Sequence, residues 1–177
     1  MAVLGHSEIL KEIEAGRIII DPYDPECVGP ASVDLHLSNA FRVFVRLPRN
    51  VAVTDAIDFR AATKGLWVED NDYLIMRPGE TVLGMTQERV ELADNLCGWL
   101  EGRSRFARLG LLVHISASFM QPGIANHQVL EMSNFGPIPL EIRPGTAICQ
   151  FIFQRVEGTG RYQGVFQDQT PQRFARD

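Results

Sequence analysis

Paired cysteines are missing from this sequence. Its three cysteines, Cys27, Cys97 and Cys149, lie far apart in 177 residues, and no C-x-x-C pair occurs among them. An odd number at that spacing supports neither a disulfide framework, a zinc knuckle nor a dithiol redox motif. Cys97 and Cys149 sit among apolar neighbours, where a free cysteine behaves as a small core side chain. Long apolar runs are missing too. Nothing approaches the ~18 residues of a membrane helix, and no basic start followed by an apolar core opens the chain. The expectation is a cytoplasmic protein with no membrane partner. A basic excess is also lacking, the formal net charge being -5. That argues against a general nucleic-acid binder, although a local arginine cluster can still hold a small anion.

Helical periodicity is nearly absent after the first residues. Positions 7–15 predict a short helix, with Ser7 as cap, Ile9, Leu10 and Ile13 on one face, and Gly16 as terminator. Short β-type runs follow at 17–20, 32–37, 41–45, 73–76, 81–86, 98–100, 111–115, 128–132 and 147–154, punctuated by Gly, Pro and Asn. Ser32-Val33-Asp34-Leu35-His36-Leu37 alternates as a half-buried strand does. Many short strands at this spacing predict a sandwich or barrel in one domain spanning 1–177. Two segments echo each other: Leu74-Ile75-Met76-Arg77-Pro78-Gly79 and Leu140-Glu141-Ile142-Arg143-Pro144-Gly145. Each runs a strand into a Pro-Gly type II turn. Residues 46–65 are the least patterned and read as a surface loop. From 157 to 177 the chain is polar, a tail either disordered or folded over something.

Chemistry concentrates in two places. The basic, glycine-flanked turn Gly102-Arg103-Ser104-Arg105-Phe106-Ala107-Arg108-Leu109-Gly110 offers three arginines, a hydroxyl and backbone amides. That suits a polyphosphate, and it equally suits a short amphipathic helix with solvated arginines. Glu131, inside Val129-Leu130-Glu131-Met132, is either the wet face of a strand or a partly desolvated carboxylate able to transfer protons. His114 and His127 have no carboxylate or cysteine at ligand spacing and read as surface or satisfied histidines. His6-Ser7-Glu8 matches the H-x-E of zinc nucleobase deaminases, but the P-C-x-x-C partner that family needs is absent, so zinc is not expected.

The turn, followed by Leu111, Val113-His114, Pro122-Gly123 and Val129-Leu130-Glu131, resembles the central motif of the dCTP deaminases, which belong with the trimeric dUTPases. The 29–37 segment resembles that family's N-terminal strand, 144–150 its late strand, and Gly160-Arg161-Tyr162-Gln163-Gly164 its C-terminal closing segment. The resemblance implies a mainly β fold, a distorted β-barrel or jelly roll of the dUTPase-like type, with short N-terminal and central helices. It also implies a homotrimer with sites between subunits and metal-free attack at C4 of cytosine, Mg²⁺ riding on the triphosphate. In that scheme Glu131 is the general base and acid, Ser104 and the Ala117 carbonyl orient the water, and Arg108 positions Glu131. Arg103, Ser104 and Arg105 face the phosphates; Gln121 and Val129 lie by sugar and base. Gln150, Arg161 and Tyr162 close over the nucleotide, residues 157–177 acting as the closing tail.

Several residues depart from the family pattern. Arg105 stands where a second serine is usual, Ser118 where histidine or glycine is common, and Arg161 where lysine is expected. Val165 replaces a glutamine, and the stretch from Val156 to Arg161 is short. Gln121 takes the place of an aspartate near the sugar; an amide can bond a hydroxyl but cannot act as a base. Three readings follow. The first is a dCTP deaminase making dUTP and ammonia, with dTTP as an inhibitor. The second continues to dUMP and pyrophosphate, and the third is a nucleotide-binding homologue impaired in turnover.

Overall fold

The computed structural model describes residues 2–114, 116–164, 166–167 and 169–176. Helix α1 (His6–Glu14) opens it. Its cap is Gly5, with no side-chain bond, rather than Ser7. Ile9 is buried on its inner face, but Leu10 is exposed and Glu12 takes an inner place instead. A carboxylate can be buried there because Arg17 and Arg155 both pair with it, and they hold its carboxyl below the usual range against the opposing effect of burial.

Strands β1 (Ile18–Asp21), β2 (Val33–Phe44), β3 (Thr63–Trp67), β5 (Thr81–Leu92), β6 (Leu96–Gly102), β7 (Leu111–Val113), β8 (Phe119–Met120), β9 (Ala125–Asn134) and β11 (Ala147–Arg155) form one curled antiparallel sheet. Its path runs β7-β9-β5-β2-β11-β6-β8, with β1 added to β5 and β3 to β2. The runs at 32–37 and 41–45 are one strand. A register shift between Leu37 and Phe41 lets β2 pair with β11 at one end and with β5 and β3 at the other. That bend curls the sheet on itself. Part of the supposed loop 46–65 is likewise strand β3. The echoing segments β4 (Leu74–Met76) and β10 (Leu140–Ile142) pair with each other as a separate two-stranded sheet. Both Pro-Gly turns form as expected, with Gly79 at φ 80 and Gly145 at φ 75.

The core inside the curl gathers Val33, Leu35, Phe41, Leu100, Leu130, Met132, Phe151 and Phe153, and the last two rings stack with centroids 4.6 Å apart. Cys97 and Cys149 are buried in this body, where desolvation raises both thiols. A smaller cluster of Ala40, Leu83, Met85 and Phe174 lies outside it, against Phe59, Val129 and Ala175. The C-terminal tail is folded back on its own chain and ends in a one-turn helix α3 (Pro171–Phe174). No helix of the described residues is long and apolar enough to cross a membrane.

Candidate active site

Strand β9 sets the site. Its even-numbered side chains from Asn126 to Asn134 are buried, and the odd set, including His127, Val129, Glu131 and Ser133, is half-buried. Glu131 and Val129 therefore share a face, as their spacing required. That face opens on a cavity of about 420 Å³. Ala117, Gln121, Val129, Glu131 and Tyr162, all singled out from the sequence, line it together. Phe44, Phe59, Phe119 and Phe166 supply aromatic walls. Those four come from four separate segments, so no local pattern announced them.

His114 is the residue the sequence misjudged. It is 5% exposed rather than at the surface, and its φ of 55 is rare for a residue with a side chain. Its Nδ1 lies 2.8 Å from Glu131 Oε2. The approach is close enough for an ion pair when the imidazole is protonated, yet off the line of a formed hydrogen bond. Both ring nitrogens and that carboxylate oxygen are thus buried polar atoms without an aligned partner among the described residues. Native interiors rarely leave such groups unmet away from functional sites. Burial raises the Glu131 carboxyl, the adjacent His114 lowers it, and the net direction is down. The signal in the sequence was the Val113-His114 pair itself, which carried no role. His127 also reaches the cavity wall, with Nδ1 3.2 Å from the Thr86 carbonyl, and burial lowers its pKa.

The basic turn forms helix α2 (Ser104–Ala107), closed at Gly110 with φ 87. Phe106 packs against the core while Ser104, Arg105 and Arg108 are exposed. Arg103, just before the helix, is engaged: Nη2 lies 2.8 Å from Asp34 Oδ2, and Nη1 donates to the Ala147 carbonyl at 2.9 Å. Gln150 is close in register, opposite Asp34 on one side and Glu101 on the other, and its Oε1 accepts from Ser32 Oγ at 3.3 Å. So Arg103 and Gln150 converge around Asp34. None of Arg103, Ser104, Arg105, Arg108 or Gln150 lines the Glu131 cavity. The candidates fall into two groups on one chain: a basic face, and a cavity with a carboxylate.

In the tail, Tyr162 N–H donates to the Pro122 carbonyl at 2.8 Å and its side chain lines the cavity. Arg161 is exposed, 4.0 Å from Asp94. Val165 lies outside the described residues. Among the described residues no group of three or more His, Cys, Asp or Glu could hold a metal ion.

Comparison with known proteins places this architecture. A family model described as dCTP deaminase-like matches residues 3–156. A Nocardioides protein named "dCTP deaminase, dUMP-forming" is 38% identical over 181 residues, covering 97% of this chain and 94% of its own. A Parafrankia protein of the same name is 39% identical, covering 99% of this chain and 92% of its own. Among solved structures, the 2'-deoxycytidine 5'-triphosphate deaminase of Agrobacterium tumefaciens superposes with a TM-score of 0.65 at 18% identity. It matches 88% of this chain, which spans 48% of that one. The fold is therefore that of the deaminase, a mainly β architecture built on one curled sheet. The chain belongs to the dCTP deaminase-like family.

Proposed function

We propose that this protein deaminates dCTP hydrolytically, releasing ammonia. Glu131 carries the reading: a half-buried carboxylate on a cavity wall, beside a buried histidine, with an oxygen that lacks an aligned partner. Such a group can take a proton from water as its oxygen bonds to C4, then deliver protons to the ring and to the departing amine. The C4–N bond breaks and ammonia leaves. Ser104 and the Ala117 carbonyl would orient the water, and Arg108 would position Glu131 and offset developing charge. Gln121 and Val129 would bound the sugar and base. Arg103, Ser104, Arg105 and Gln150 would meet the phosphates, with Arg161 and Tyr162 closing over them. A Mg²⁺ ion would be held through phosphate oxygens rather than by a protein cage.

The division of candidates between a basic face and a separate cavity supports a site completed between copies of the chain, as a homotrimer would provide. A second copy presenting α2 to the cavity would put arginines beside Glu131. Such an enzyme would act on the cytoplasmic nucleotide pool, with dTTP a natural competitor for the cavity.

A second reading, continuation to dUMP and pyrophosphate, is favoured by the name shared by the two relatives above. Against it stands Gln121 on the cavity wall, an amide that cannot act as a base. Incubation with dCTP and Mg²⁺, assaying ammonia, dUTP, dUMP and pyrophosphate, separates the readings. Ammonia with dUTP supports the first and dUMP with pyrophosphate the second. Bound dCTP without product would leave a binding protein and overturn both.

A further inference from the structure

Arg42 is 1% exposed, an unusual depth for a guanidinium. A cation there needs acceptors on every side. Its Nε donates to Thr63 Oγ1 at 2.8 Å and Nη2 to the Thr63 carbonyl at 3.2 Å. Its Nη1 donates to the carbonyls of Phe174 at 2.7 Å and Arg176 at 2.9 Å. Those carbonyls belong to the last residue of α3 and to the chain just beyond it, where a one-turn helix leaves acceptors open. Beside them the Phe174 side chain, 2% exposed, fills the small cluster of Ala40, Leu83 and Met85. Its ring centroid lies 6.2 Å from that of Phe59. Phe59 and Leu83 are also walls of the Glu131 cavity. The anchor and the cavity thus share two side chains.

The other end of the tail is attached as well. Gly160 N–H donates to the Asp94 carbonyl at 2.9 Å and Tyr162 N–H to Pro122 at 2.8 Å. Between the two attachments, Tyr162, Phe166 and Gln169 line the cavity, and Asn126 Nδ2 donates to the Phe166 carbonyl at 2.8 Å.

We propose that Arg42 is a positioning residue for the cavity: with Phe174 it pins the chain end, making the segment that carries Tyr162, Phe166 and Gln169 a strap fixed at both ends. The proposal rests on the reading of the cavity as a nucleotide site. A strap held at both ends has already lost most of its freedom, so ligand binding need not order it again. Released at Arg42, it would have to be ordered by each incoming nucleotide.

The test uses full-length protein. Trp67 and residues Thr170, Pro171 and Gln172 line a common recess, so Trp67 senses whether α3 is docked. The chain has two tryptophans, and Trp99→Phe leaves Trp67 as the sole reporter. Arg42→Met, Arg42→Lys and Phe174→Ala are compared in that background by acrylamide quenching, tryptic cleavage of the tail, and dCTP kinetics. Trp67 is 42% exposed with α3 docked, and Arg42→Met and Phe174→Ala should each raise its quenching further and speed cleavage. Each should raise KM for dCTP about tenfold while kcat stays within about twofold, as expected when only ordering cost is added. Arg42→Lys should recover part of the loss. Raised Trp67 quenching with unchanged KM would overturn the proposal, making the anchor purely structural. Unchanged quenching in both variants would overturn it as well. Should Arg42→Met fail to fold, Phe174→Ala leaves the arginine itself and its two Thr63 acceptors in place and decides the matter. A parent protein that neither binds nor turns over dCTP would sink the functional reading instead, and quenching and cleavage would still judge the strap.

Discussion

His114 and Glu131 are joined twice: the His114 N–H donates to the Glu131 carbonyl at 2.8 Å, and its Nδ1 stands 2.8 Å from Glu131 Oε2. The backbone bond fixes where the imidazole can sit, and the imidazole fixes the electrostatics of the carboxyl. A histidine with positive φ at the end of β7 is thus tied to the residue that would move protons.

Replacement Glu131→Gln keeps shape and removes the base. Deamination should fall by at least about 10²–10⁴-fold, with thermal stability and nucleotide binding largely kept. Ammonia release and calorimetric binding of dCTP measure the two. Near-normal turnover would assign proton transfer to another group.

The pH profile tests the His114 contact. Because the folded Glu131 pKa lies below its ordinary value, its carboxylate interactions are complete above the usual carboxylate range and are lost as pH falls through the lowered value. The acid limb of kcat/KM should accordingly lie below the ordinary carboxylate range. In His114→Asn, burial loses its main opposition, only a backbone hydrogen bond still lowering the carboxyl, and that limb should move up. An acid limb unmoved by the substitution would show that the imidazole does not tune the base.

Arg108 is exposed at the end of α2 and lies outside the cavity of its own chain. If it serves a neighbouring site, Arg108→Ala should cost about 10²-fold in kcat/KM. Melting temperature should shift by only about 1–2 °C, as for a surface change of ~0.5 kcal/mol. Sedimentation and melting measured together with kinetics separate this from a structural role, for which assembly would be lost alongside activity.

Gln121 gives a gain-of-function test. Gln121→Asp supplies a carboxylate on the cavity wall and should raise the share of dUMP and pyrophosphate among products. An unchanged product ratio would remove this position from the choice between the two readings.

The core prediction concerns β11. Phe151→Ala removes a buried ring stacked on Phe153 and should cost about 3–5 kcal/mol. At about 2–4 °C per kcal/mol for a domain of this size, calorimetry should show a drop of about 6–20 °C.

What the sequence disclosed was mostly local. Alternation placed the first half of β2, β-type runs marked the middle of β9 and most of β11, and proline followed by glycine specified both type II turns. The shared face of Val129 and Glu131 needed only a period of two. What it hid was remote. Ser38 and Asn39 look like a break between two strands. Yet Ser38 is buried and the Asn39 side chain donates to the Val68 carbonyl at 2.8 Å, so the chain runs on through a bulge. Glu12 and Arg42 look like surface charges, and their burial depends on acceptors and donors distant in sequence. His114 has no partner at any local spacing; only the pairing of β7 with β9 brings it to Glu131.

The place of β11 has a consequence for how this protein is made. Encoded near the end of the chain, it is the strand between β2 and β6 and joins them into one sheet. A nascent chain leaving the ribosome can pair β2 with β5 and β5 with β9. The β6–β8 pair, however, has no place in the sheet until residues 147–155 emerge. During synthesis the free edges of β2 and β6 face solvent together, open to neighbouring chains. The fold is completed by one late insertion, which makes the interval before it the period of greatest exposure to misassembly.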